Sequence, residues 1–141
     1  MASPPSGPPQ WDPLSLSALR DKLSAFARQR DWGQFHTPRN LMLAMVGEVG
    51  ELSELFQWHT DASAGPGLTG WDQQAKQRVA EEMSDVLCYL TRMADVCGID
   101  LAAAVQAKIV ANAAKYPADL VRGSSKKYSE CEFTGAICYR L

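Results

Sequence analysis

Two pairs of acidic residues, each inside a stretch with helical periodicity, constrain the fold of this chain more than any other feature. Glu48 and Glu51 form the first pair, and Glu82 and Asp85 form the second. On a helix, residues three positions apart lie on the same face, so each pair presents two carboxylates side by side. Like charges that face each other repel unless a cation joins them. Two such faces turned toward each other therefore predict a four-carboxylate site for a metal ion.

Apolar residues repeat with a helical period in four stretches, which predicts an all-α fold similar to a four-helix bundle. The predicted helices span residues 15–30, 38–59, 73–97 and 101–116. Pro38 suits a first helical position, and Gly98 is typical of a C-terminal cap. Residues suited to the N-cap position precede each stretch: Ser15 or Ser17, Thr37, Asp72 and Asp100.

The acids occupy the same place relative to the predicted core in both central helices. In each of these helices we expect a seam of apolar residues that faces the core. The two seams are Met42, Met45, Val49, Leu52 and Phe56, and Val79, Met83, Val86, Leu90, Met93 and Cys97. Each acid comes one residue before a seam position, as Glu48 precedes Val49 and Glu82 precedes Met83. The acids therefore form matching strips beside the seams, where unpaired charges are costly to bury.

The length and composition of the chain fit one globular domain. We expect a Pro-rich lead-in over residues 1–14, a helical domain over 15–128 and an irregular tail over 129–141. The formal net charge of -2 provides no basic field for polymeric nucleic acid, and no apolar run suits a membrane span. The four cysteines lack CxxC spacing and the N-terminus lacks a signal-peptide core, which favours the cytoplasm and leaves the nucleus and organelles open.

The ligand types favour a hard metal ion. Carboxylates without histidine or cysteine among them suit Mg²⁺ or Mn²⁺ rather than zinc or copper. Di-iron helical proteins normally add a Glu-x-x-His motif, and His36 and His59 are not at that spacing, which weakens the di-iron alternative. On the fourth helix, Lys108, Asn112 and Lys115 form a polar stripe. This stripe suits phosphate groups, and a solvated helix face explains it equally well. Either acidic pair taken singly is usually a solvated helix face.

Three groups of residues carry a resemblance to a known family. Gly47-Glu48-Val49-Gly50-Glu51-Leu52, Glu82-Met83-Ser84-Asp85-Val86 and residues 108–117 resemble motifs of the all-α nucleoside triphosphate pyrophosphohydrolases of the MazG-like superfamily. Within that superfamily, residues 30–41, residues 54–58 and Lys115-Tyr116-Pro117 are similar to the dCTP pyrophosphatases. The resemblance covers residues 15–128.

The resemblance implies a MazG-type helical fold that assembles into a homo-oligomer, usually a tetramer. It also implies a Mg²⁺-dependent enzyme that cuts dCTP, and base-modified cytosine deoxynucleotides, to the monophosphate and pyrophosphate. By the family pattern, the Mg²⁺ ligands and catalytic acids would be Glu48, Glu51, Glu82 and Asp85. The base and sugar would contact Trp32, His36, Trp58 and Tyr89. The phosphates would contact Lys108, Asn112 and Lys115, either of the same chain or of a neighbouring subunit.

Two alternatives stay open at this point. In dCTP enzymes of this family a histidine often stands near the place of Leu23, so the preferred base could be that of dUTP or of other non-standard triphosphates. The second alternative is a non-catalytic helical scaffold that binds a partner through its apolar seam while its acids are solvated. Hydrolysis assays with individual triphosphates would separate these possibilities.

Overall fold

The computed structural model describes residues 11–123, which form helices and connecting turns without any strand. The α-helices are α1 (Leu16–Gln29), α2 (Pro38–Glu54), α3 (Gln73–Val96), α4 (Leu101–Lys115) and the short α5 (Ala118–Val121). Two 3-10 helices, Trp32–Gln34 and Pro66–Leu68, lie in the connections that follow α1 and α2. The all-α prediction is therefore confirmed for the described part of the chain. The predicted tail and most of the predicted lead-in lie outside the described residues.

Side-chain caps begin the first three helices where the sequence predicts them. The Ser15 hydroxyl accepts a hydrogen bond from the Ala18 N–H at 3.1 Å, and the Asp72 carboxylate accepts one from the Ala75 N–H at 2.7 Å. The Thr37 hydroxyl accepts the Asn40 N–H at 3.2 Å, directly before Pro38. Each bond satisfies a backbone donor that the first turn of a helix leaves without a partner.

The predicted end of α2 is wrong. The helix stops at Glu54 rather than near His59. The Phe56 N–H donates to the Ser53 carbonyl at 3.0 Å, a spacing of three residues that tightens the chain into turns. Further along, the Ser63 hydroxyl accepts the Thr60 N–H at 2.9 Å and donates to the Thr60 carbonyl. Such local side-chain bonds offer the backbone an alternative to helix continuation.

The described chain divides into two compact units, with the boundary between Leu101 and Ala102. In the first unit, α2 packs along α3, and α1 also packs on α3. The second unit contains α4 from Ala102 onward and α5. The packing of four helices into one bundle stays a prediction, and so does the single domain over residues 15–128. No helix within residues 11–123 is both long and apolar enough to cross a membrane.

The core of the first unit follows the predicted seams only in part. Met42, Val49 and Met83 are 45%, 44% and 57% exposed, so the prediction that they face the core of the chain is wrong. Leu52 and Phe56 of the α2 seam are half-buried, as is Glu48 of the neighbouring strip, in which Leu41 is buried. The most buried apolar residues of the described chain are Ala27, Leu41, Val79 and Ala94. Both strips of α2 thus contribute to the packing, and the acid strip lies close enough to α3 for Glu48 and Glu51 to meet Glu82.

Candidate metal and nucleotide site

The facing sides of α2 and α3 bring three carboxylates together. One carboxylate oxygen each of Glu48, Glu51 and Glu82 lies within 4.8 Å of the others. Glu48 and Glu82 are half-buried, and Glu51 is exposed. Glu48 and Glu51 sit one turn apart on α2, and Glu82 approaches them from α3. This geometry gives a cation access to three oxygens from two helices.

The electrostatics of the cluster favour a positive charge among the acids. Partial burial raises the pKa of Glu48 above its usual value, and the negative charges of Glu51, Asp85 and Glu82 raise it further. All of these influences disfavour the ionised acid, whereas a cation placed between the carboxylates would favour it. Asp85 is exposed and is not one of the three clustered acids, but its charge reaches Glu48.

The donor set fits a hard divalent ion. Three carboxylates supply only oxygen ligands, which is the chemistry that Mg²⁺, Mn²⁺ and Ca²⁺ prefer. Neither histidine belongs to the cluster: the His36 Nδ1 atom is bonded to Arg92, and the His59 Nδ1 atom lies 3.3 Å from the Ser63 hydroxyl. The described acids can therefore hold a metal ion without a nitrogen or sulfur ligand.

Tyr89 lies near the same acids. Burial raises the pKa of its hydroxyl, and the charges of Glu48 and Asp85 add to that effect. Tyr89 follows Asp85 by four residues on α3, so it continues the same helix face by one turn. The phenol therefore lies beside the acid cluster.

His36 contacts α3 at Arg92, one turn beyond Tyr89, and lies beside Trp32. Asp31 adopts a left-handed backbone conformation with φ of 51°, which turns the chain after α1 into the 3-10 helix that carries Trp32. The Trp32 and His36 rings are 6.0 Å apart between centroids. His36 in turn accepts a hydrogen bond at Nδ1 from the Nε of Arg92 at 3.1 Å. Arg92 thus joins the loop that follows α1 to α3.

One face of α3 therefore carries two sets of polar residues. Glu82, Asp85, Tyr89 and Arg92 follow one another at intervals of three, four and three residues, which keeps them on one side of a helix. Seven residues of helix separate Asp85 from Arg92, or roughly 10 Å along the axis. The acid cluster lies at one end of this face, and Arg92, which binds His36, lies at the other. Sequence reasoning did not single out Arg92: its spacing places it on the face of Asp85 and Tyr89, but its contact with His36, 56 positions away, leaves no signal in the sequence.

Four further residues that the sequence predicts to contact the nucleotide are exposed, and none of them belongs to the acid cluster. Trp58 lies in the turns after α2 and is 87% exposed. Lys108, Asn112 and Lys115 lie on the exposed surface of α4, in the second unit. Their contact with phosphates and the contact of Trp58 with the base stay predictions.

A cleft that does not include the acid cluster opens between the end of α2 and the start of α3. Its volume is about 410 Å³, and its lining includes Glu54, His59, Trp71 and Arg78. The Trp71 ring packs 4.3 Å from the His59 ring and 5.1 Å from the Phe56 ring, centroid to centroid. Trp71 thus supports the turns that end α2, a role that the sequence did not indicate.

The comparisons with known proteins place the chain in a family. A family model described as the MazG-like family matches residues 44–131. The chain belongs to the MazG-like family. It is 52% identical over 116 residues to dCTP pyrophosphatase 1 of Homo sapiens, across 82% of this chain and 67% of that protein. It is 48% identical over 126 residues to dCTP pyrophosphatase 1 of Rattus norvegicus, across 89% of this chain and 73% of that protein.

A solved structure supports the same assignment. A pyrophosphatase from Archaeoglobus fulgidus is 34% identical to this member of the MazG-like family, with a TM-score of 0.64. The similarity covers 78% of this chain and 99% of the archaeal chain. The resemblance that the sequence motifs suggest is therefore confirmed, and the all-α fold is that of a MazG-like pyrophosphatase.

Proposed function

We propose that this chain is a nucleoside triphosphate pyrophosphohydrolase that converts dCTP to dCMP and pyrophosphate. The observation that carries the proposal is the convergence of Glu48, Glu51 and Glu82 on facing helices. The identity of about half of the aligned residues to proteins named dCTP pyrophosphatase 1 directs the proposal to dCTP. Base-modified cytosine deoxynucleotides are further expected substrates. Such an activity would clear unwanted precursors from the nucleotide pool of the cytoplasm.

We assign Mg²⁺, with Mn²⁺ as a substitute, to the acid cluster. Glu48, Glu51 and Glu82 would hold the ion, and Asp85 would complete the acidic face. When bound, Mg²⁺ supplies charge neutralisation for the phosphate chain and lowers the pKa of an attacking water. The oxygen-only donor set and the raised pKa of Glu48 support this assignment.

The residues of the chain supply the base and the orientation for the reaction. A carboxylate of the acidic face accepts the proton of the attacking water. Beside His36, the Trp32 indole is 42% exposed, which leaves part of its ring free to contact a pyrimidine. Trp58 offers a second exposed indole, and Tyr89 lies beside the acid cluster. Lys108, Asn112 and Lys115 would donate hydrogen bonds to phosphate oxygens.

We further propose that the chain assembles as a homo-oligomer, with a tetramer as the expected form. Met42, Val46 and Val49 are all exposed and follow one face of α2 at intervals of four and three residues. Met83 and Leu87 add exposed apolar surface on α3. An apolar face of this kind is typical of a helix that packs against another chain. A second copy would cover the residues that the predicted seams assign to a core.

Hydrolysis of individual triphosphates tests the proposed activity. The purified chain is incubated with Mg²⁺ and dCTP, dUTP, dTTP or dATP, and the monophosphate and pyrophosphate are quantified. We expect the fastest turnover with dCTP. A preference for dUTP would overturn the base assignment, and a chain that releases no pyrophosphate from any triphosphate would overturn the enzymatic proposal.

A pair of matched variants tests the role of the acids. Glu51→Gln should lower turnover by at least about 100-fold, because several kcal/mol of charge stabilisation depend on the metal. Glu54→Gln is the control, since Glu54 lies on the same helix outside the cluster. Full activity in Glu51→Gln would refute the assignment of this acid.

A further inference from the structure

Arg92 connects α3 to the loop between α1 and α2, and the proposed reaction assigns it no role. Its Nε donates to the His36 Nδ1 at 3.1 Å, a bond between residues 56 positions apart in the chain. Its Nη1 donates to the Asp95 carboxylate one turn further along α3. The side chains of Arg92 and Asp95 are only 14% and 26% exposed. The guanidinium is therefore held between a carboxylate on its own helix and a histidine from the preceding loop.

This contact selects one protonation state of the His36 ring. An arginine guanidinium carries only donors, so the Nδ1 of His36 must accept the bond and cannot carry a proton. In the neutral ring the proton is then on Nε2, at the edge away from Arg92. Burial lowers the pKa of His36, and the positive charge of Arg92 lowers it further, which favours the neutral ring. His36 is thus prepared as a hydrogen-bond donor through Nε2.

The position of this donor relates it to the acid cluster. Arg92 stands on the α3 face that carries Asp85 and Tyr89, roughly 10 Å along the axis from Asp85. The Trp32 ring lies 6.0 Å from the His36 ring, centroid to centroid. A nucleotide with its phosphates at the acids and its base against Trp32 would bring an oxygen of the base or sugar toward His36.

We propose that Arg92, anchored by Asp95, is a positioning residue that fixes His36 as a neutral Nε2–H donor to an oxygen of the nucleoside. Arg92 does not touch the substrate in this arrangement and acts only through His36. The inference deepens the proposed function and rests on it for the identity of the ligand. The protonation state of His36, in contrast, is a property of the free protein.

Nuclear magnetic resonance of histidine-labelled protein tests the protonation state directly. The chain has 2 histidines, so a His36→Gln spectrum assigns both rings. At about pH 8, where an ordinary histidine is neutral, long-range ¹H–¹⁵N correlations should show His36 with its proton on Nε2 alone. In Arg92→Met, this ring should become a mixture of both neutral tautomers. A proton on Nδ1 in the wild type, or an unchanged ring in Arg92→Met, would overturn the proposal whatever the enzymatic activity.

Steady-state kinetics with dCTP test the consequence for substrate binding. Arg92→Met should raise KM by about 3- to 10-fold, the range expected for one neutral hydrogen bond, with a smaller effect on kcat. Arg92→Lys should recover part of the loss, because an ammonium can donate to Nδ1. Arg78→Met is the matched control, an exposed arginine on the same helix that should retain wild-type KM.

A double-mutant cycle distinguishes positioning from a general loss of structure. If Arg92 acts through His36, Arg92→Met should add little to the KM increase of His36→Ala. Fully additive effects would overturn the coupling. A chain that hydrolyses no triphosphate would remove the proposed function and the ligand assignment, while the tautomer measurement would still decide whether Arg92 sets the state of His36.

Discussion

Replacing Glu48 with glutamine should stabilise the metal-free protein while it removes the catalytic activity. Glutamine keeps the shape of the side chain and removes its charge. At a separation of 4.8 Å, the upper limit within the cluster, two unit charges repel by about 0.9 kcal/mol at the dielectric constant of water. Glu48 loses two such repulsions, with Glu51 and with Glu82. Because solvent exposure and side-chain relaxation limit the effect, we expect Glu48→Gln to raise the free energy of unfolding by about 1–2 kcal/mol.

Thermal unfolding in two solutions measures this effect. With a chelator present, Glu48→Gln should unfold at a Tm higher than that of the wild type by roughly 3–6 °C. With Mg²⁺ in excess, the wild type should gain stability, by about 2.7 kcal/mol at a concentration of 100 times Kd. The variant should gain less, because it has lost one ligand. Adding Mg²⁺ should therefore narrow the Tm difference between Glu48→Gln and the wild type, or make the wild type the more stable of the two.

The control for this experiment is Glu54→Gln. Glu54 is exposed and lies on α2 outside the cluster, so the same substitution there should change neither the Tm nor its response to Mg²⁺ by a comparable amount. If the wild type showed no response to Mg²⁺ and Glu48→Gln were no more stable than Glu54→Gln, the acids would be solvated side chains and the metal assignment would be wrong.

Three further predictions follow from the same structure. The raised pKa of Glu48 means that this side chain binds a proton more readily in the folded state than in the unfolded chain. With a chelator present, lowering the pH should therefore narrow the Tm difference between the wild type and Glu48→Gln. A difference that widens on acidification would contradict this. In urea titrations, Leu41→Ala should lower the free energy of unfolding by about 2–4 kcal/mol because Leu41 is 2% exposed, whereas Leu43→Ala should lower it by less than about 1 kcal/mol because Leu43 is 57% exposed. Equal losses for the two variants would refute the burial of Leu41 in the core. Met83→Asp should reduce the sedimentation coefficient if the exposed face binds a second copy, and an unchanged value would exclude that face from the interface.

Local chemistry explains which parts of the fold the sequence predicts. The caps at Ser15, Thr37 and Asp72 depend on residues within three positions, and all of them are confirmed. The end of α2 depends on turns that Ser63 and Trp71 stabilise from further along the chain, and the helical period alone does not report on them. The predicted α2 is therefore too long.

The predicted seams show a second limit of helical periodicity. On α2, the strip of Leu41 and Glu48 and the seam of Met42 and Val49 are adjacent and both rich in apolar residues. Periodicity shows that this side of the helix is apolar, but it does not distinguish a surface that packs within the chain from one that packs against another chain. The strip with the acids faces α3, and Met42 and Val49 of the seam are exposed.

The same limit applies to the candidate site: local spacing identifies the acids but not the contact between Arg92 and His36. The acidic pairs stand out in the sequence because three-residue spacing is a local property, and the structure brings Glu48, Glu51 and Glu82 together. Arg92 is only one more charged residue on a long helix until the fold places His36 against it, from 56 positions away. Contacts of that range depend on how α1 and its following loop pack on α3, which no spacing within α3 encodes.

The presence of Asp85 and Arg92 on one helix has a physical consequence for the proposed reaction. A single α-helix fixes distances along its axis, because each residue adds 1.5 Å and the backbone hydrogen bonds resist stretching. Asp85, Tyr89 and Arg92 belong to the same uninterrupted helix, Gln73–Val96. The axial separation between Asp85 and Arg92, and so between the acidic face and the His36 ring that Arg92 binds, is therefore set by the helix. A substrate that engages both the acidic face and His36 must match that length, so α3 itself would contribute to selecting a nucleotide with an extended phosphate chain.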